Sequence, residues 1–119
     1  MSKELKELKD EFLGYSRFRD DYNDQLISRD VSNFTEKDLL LMQSLMGEKA
    51  NREKYIHDLF KSLASSDQFL IDLDGNKVNC KFLTYDLFGE EIFVSFGGGK
   101  IGVAKIEGGE LKLVKITRQ

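Results

Sequence analysis

From residue 3 to 27 apolar side chains return every three or four positions: Leu5, Leu8, Phe12, Tyr15, Phe18, Tyr22 and Leu26. That period predicts one helical stripe over about 3–27. Gly14 interrupts the pattern at a cost of about 1 kcal/mol against alanine, and a kink there is compatible with it. A second helix is announced by Thr35 followed three residues later by Asp38, a capping pair, with Phe34 and Leu39 placed as a hydrophobic staple. It is predicted over 36–64. Leu39, Leu40, Met42, Leu45 and Met46 form one apolar block, and Tyr55, Ile56, Leu59, Phe60 and Leu63 another. Residues 47–54 between them are polar except Ala50. Either one long helix has a solvated waist, or Gly47 ends a first helix and another begins near Asn51. The helix-forming residues after Gly47 favour the continuous one.

Beyond Ser65, Ser66 and Asp67 the period changes from helical to alternating. Five short strands are predicted between residues 68 and 118, joined at Asp74-Gly75-Asn76, Phe88-Gly89-Glu90, Gly97-Gly98-Gly99 and Glu107-Gly108-Gly109. In the first, Phe69, Ile71 and Leu73 alternate with Leu70 and Asp72. In the second and third, Val78, Cys80, Phe82 and Ile92, Val94, Phe96 mark one apolar face. The last two strands change phase, at Val103-Ala104 and Leu113-Val114. Such slips predict bulges and a sheet that curls toward a half-barrel. The expected class is α+β: N-terminal helices, about 3–27 and 36–64, then a five-stranded antiparallel meander. With 119 residues the chain is expected to be one domain, helical over 1–66 and β over 67–119.

Length also raises a question of fit. An unbroken helix over 3–27 measures roughly 37 Å. A compact chain of this size is only about 35 Å across. The first helix must therefore cross the whole domain or project beyond it. The sequence leaves both open, packing on the second helix or the sheet being the plainer one. If it projects, Phe12, Tyr15, Phe18 and Tyr22 become interface candidates, since rings supply contact area at small entropic cost.

Charge narrows the partner classes. The net charge is −3 and the isoelectric point about 5.2, which disfavours a nucleic-acid binder working by phosphate neutralisation. Lysines gather on the last two strands, among them Lys112 and Lys115. They read first as edge protection and second as contacts for an acidic partner. No apolar run approaches the length of a membrane span, and the charged start has no signal-like core, so a cytoplasmic chain without a membrane partner is expected. The lone Cys80 excludes an internal disulfide and a cysteine-based zinc site.

Several stretches resemble chemical motifs without their context. Asp72-Leu73-Asp74-Gly75-Asn76 starts like a calcium loop, but Lys77 stands where glycine is needed and Leu83 where glutamate is. Residues 97–102 fit G-x-G-x-x-G, yet a strand rather than a helix follows. His57, the only histidine, and Cys80 lack an evident orienting group or oxyanion donor. Neighbouring strand residues face opposite ways, so Glu90 and Glu91 do not form a dyad unless the turn redirects one of them. No catalytic set, metal site or cofactor is therefore expected. The reading is a non-enzymatic protein-interaction module: a small adaptor, inhibitor or regulatory subunit that self-associates, as a homodimer in the simplest case. The alternative is a small ligand- or anion-binding domain with a pocket between sheet and helices.

Overall fold

The computed structural model describes residues 3–27 and 30–118. Helix α1 (Lys3–Tyr22) runs through Gly14 unbroken and ends in a π-helical turn, Asn23–Ile27. A short 3-10 turn, Val31–Asn33, leads to α2 (Glu36–Ala64). The cap forms as the sequence requires. The Thr35 hydroxyl accepts the Asp38 N–H at 3.2 Å, and the Asp38 carboxylate accepts the Thr35 N–H at 2.9 Å. α2 passes through Gly47 as one helix of 29 residues, roughly 43 Å long. i,i+4 pairs tie its polar waist, Arg52 to Glu48 at 3.0 Å and Lys49 to Glu53 at 2.8 Å.

Five strands follow: β1 (Gln68–Ile71), β2 (Lys77–Asp86), β3 (Glu91–Phe96), β4 (Lys100–Glu107) and β5 (Glu110–Arg118). Sequential neighbours pair antiparallel, and β1 returns parallel to β5 through Leu70–Leu111 and Ile71–Lys112. The curl expected from the sequence is thus carried to a closed barrel. The phase slips are real bulges: the β4–β5 register shifts between Ile101 and Gly102 and again between Val103 and Ala104. A third irregularity, at Leu83 in β2, has no counterpart in the pattern. Gly102 sits where strands crowd. A Cβ there would lie 2.6 Å from the Lys115 carbonyl oxygen and 2.7 Å from Leu113.

β1 takes the phase opposite to the one its sequence suggested. Leu70 is buried, while Phe69 and Leu73 are exposed. Register explains it: Gln68 and Leu70 sit opposite Cys80 and Val78, the inward residues of β2. Phe69 instead lies outside, under the Lys77 ammonium at 4.4 Å.

The starts of β1, β3 and β5 and the ends of β2 and β4 share one end of the barrel, by the strand directions. The helices seat there. Leu5, Leu8, Phe12 and Tyr15 of α1 and Ile56, Phe60 and Leu63 of α2 join the inward strand residues in one core. Phe60 stacks on Phe82 at 5.3 Å and packs against Tyr85 at 4.6 Å. Lys9 pairs with Glu90 at 3.0 Å across the junction. The rest of the hairpin extends away, so the molecule measures 56 × 24 × 22 Å with a radius of gyration of 17.6 Å. A compact chain of this length would have about 13.5 Å.

Candidate functional site

The chemical motifs are used up in structure. Asp72 Oδ1 accepts the backbone N–H of Asp74 at 2.9 Å and of Asn76 at 2.8 Å, closing a turn. Among the described residues no acidic, histidine and cysteine cluster could hold a metal ion. Gly97, Gly98 and Gly99 all have positive φ, which suits a three-residue hairpin turn at the barrel end away from the helices. His57 Nδ1 lies 3.3 Å from the Tyr85 hydroxyl. Cys80 is buried inside the barrel, and burial pushes its thiol up to about 11. It is a protonated, shielded sulfur at neutral pH.

The four ring positions considered for an interface divide in two. Phe12 and Tyr15 are buried in the chain's own core, at 0% and 1% exposure. The Tyr15 hydroxyl donates to Glu53 Oε1 at 2.6 Å, and the Lys49 ammonium donates to the same oxygen at 2.8 Å. Lys49 and Tyr15 together lower the Glu53 pKa. Burial, then Glu53, raises that of Tyr15. Phe18 and Tyr22, further out, are half-buried, with ring centroids 6.3 Å apart. The Arg52 guanidinium lies 5.0 Å from the Phe18 ring. Lys112 and Lys115 are both exposed, but Lys112 is on a segment paired with β1 and lies 3.7 Å from Glu107. The bare edge expected at this strand is closed there.

The surface that stands out is the outer part of α2. Leu39, Leu40, Leu41 and Met46 are 44%, 61%, 40% and 53% exposed. Met42 and Leu45 are half-buried on the side facing α1. Leu39, Leu40 and Met46 share one side of the helix and leave on the order of 300 Å² of apolar surface in water, within the range of the largest patch on a monomer, which is often functional. A helix apolar on nearly every side is normally a buried one. The sequence showed this block but gave no signal that the chain itself leaves it uncovered. That follows from where the barrel stops.

A second feature is a groove of about 500 Å³ between the start of α1, the end of α2, β1 and the β4–β5 turn. Leu5, Leu63, Phe69 and Leu111 line its floor. Glu4, Asp67 and Glu110 outnumber Lys77 around it.

Fold and surface together define an α+β class: a closed five-stranded barrel carrying a projecting helical arm with an apolar tip. Set beside known protein families, curated proteins and solved structures, the chain matches none. No helix among the described residues is long and apolar enough to cross a membrane.

Proposed function

We propose that the protein is a non-enzymatic interaction module, a small adaptor, inhibitor or regulatory subunit, that self-associates and works in the cytoplasm. The observation that carries this is the exposed apolar tip of α2, with Leu40 at 61% and Met46 at 53% exposure. Leaving such surface in water costs about 25 cal/mol per Å², and covering it recovers that cost. Light scattering on a size-exclusion column across a concentration series tests it. The expected result is a mass that rises with concentration toward twice 13.7 kDa. A constant monomer mass would remove self-association.

A second reading has its own observation, the groove between helices and barrel. Its volume lies within the range of small-molecule sites. Asp67 and Glu110 beside Lys77 favour a neutral or cationic ligand over an anion in this groove. A rise in melting temperature with a cationic or neutral panel, absent with inorganic phosphate, supports this reading.

A further inference from the structure

We propose that the tip of α2 docks on the same tip of a second copy, α2 against α2 and antiparallel, about a two-fold axis at Gln43. This rests on the self-association proposed above and names its geometry. Leu39, Leu40, Gln43, Met46, Gly47 and Ala50 follow helical spacing along one face. All six are exposed. The seam toward α1 runs instead through Met42, Leu45, Lys49, Glu53 and Ile56, about a third of a turn away by the 3.6-residue period. The docking face is therefore free while the hairpin stays intact.

That face is complementary to itself. Under the two-fold, Leu40 of one copy lies over Met46 of the other. Leu39 lies over Gly47, beside which an added Cβ would find no heavy atom within 4 Å. Gln43 meets Gln43. An amide both donates and accepts, so it can pair with its own copy, and one polar residue in an apolar seam fixes register. A foreign helix would need none of these matches. The charged positions Glu36, Lys37 and Glu48 border the patch, giving it the polar rim of an interface.

A contact of this length buries on the order of 1,000 Å² in total, the low end for specific association. A dimer held by a contact that small is expected to be reversible and concentration-dependent. Its two barrels lie at opposite ends. Each chain is 56 Å long, and overlap of the tips alone gives a particle roughly 90 Å long, from 1.5 Å per helical residue.

The experiment joins small-angle scattering, light scattering and one cysteine variant, all on the full chain. A dimer roughly 90 Å long is expected, from the overlap geometry above. Gln43→Cys with a mild thiol oxidant should give a disulfide-linked dimer. Wild type, whose Cys80 is buried, and Leu41→Cys, on the far side of α2, should not. Leu40→Glu should weaken dimerisation at least about tenfold, with unfolding temperature unchanged at monomeric concentrations, because the residue is exposed. A dimer no longer than one chain, or linkage at Leu41→Cys but not at Gln43→Cys, would overturn this arrangement and leave self-association standing. A monomer at millimolar concentration would overturn both.

Discussion

The two ends of α2 carry apolar blocks of similar strength and meet opposite fates. Near its C-terminus Ile56, Phe60 and Leu63 are 0%, 6% and 4% exposed. Near its N-terminus Leu39, Leu40 and Met46 are about half in water. Composition does not separate them. Position does, because the barrel mouth receives only the lower half of the hairpin. The lower block is therefore a stability element, and the upper block carries surface that the fold does not need.

The comparison breaks most decisively at the base. Phe60→Ala removes the ring between Phe82 and Tyr85 and should cost about 3–5 kcal/mol of unfolding free energy, read by urea denaturation. The equivalent truncation at the tip, Leu40→Ala, should stay within about 0.5 kcal/mol when measured on the monomer. Equal losses at both ends would mean that the tip is packed after all.

A second test asks whether the barrel, which the base depends on, is tight. Gly102→Ala puts a methyl 2.6 Å from a carbonyl oxygen of β5 and 3.2 Å from the Phe96 ring. Backbone cannot yield as a side chain can, so a loss of about 1–3 kcal/mol is expected in the same denaturation experiment. A neutral result would show β4 and β5 free to move apart at their bulges.

How much of this division could be read from the sequence depends on the element. The helices were legible because caps and periodicity are local: Thr35 and Asp38 announce α2 on their own. The two β4–β5 bulges were legible because a phase slip is visible within a strand, whereas the one at Leu83 left no such mark. Barrel closure was not, since the parallel β1–β5 contact joins Leu70 to Leu111 with no local mark. β1 was read in the wrong phase for the same reason: four residues with apolar side chains on both faces do not say which neighbour they will meet. The interface candidates failed to separate for a related cause. Phe12 and Phe18 fall on one stripe, and only the height of the barrel mouth decides that the first is buried and the second half-exposed.

Between base and tip, the Tyr15–Glu53–Lys49 chain is the smallest step and the one most open to pH. Glu53 is held below its ordinary 4.5, first by Lys49 and then by Tyr15. A lowered carboxylate pKa stabilises the fold above the unfolded value and is lost as pH falls through the folded one. Tyr15 is raised above its ordinary 10.0 by burial and then by Glu53. Its contribution is complete below that value and fades as pH rises through the folded one. The two define a plateau from about pH 5 to 10, with stability falling on either side. Tyr15→Phe keeps the ring, removes the bond and should cost about 1 kcal/mol on the plateau, since Glu53 is partly open to water. The variant should also flatten the acid limb of the stability curve, because Glu53 then loses one of the two partners that lower its pKa. An unchanged acid limb in Tyr15→Phe would leave the lowering of the Glu53 pKa to Lys49 alone, with Tyr15 acting as packing.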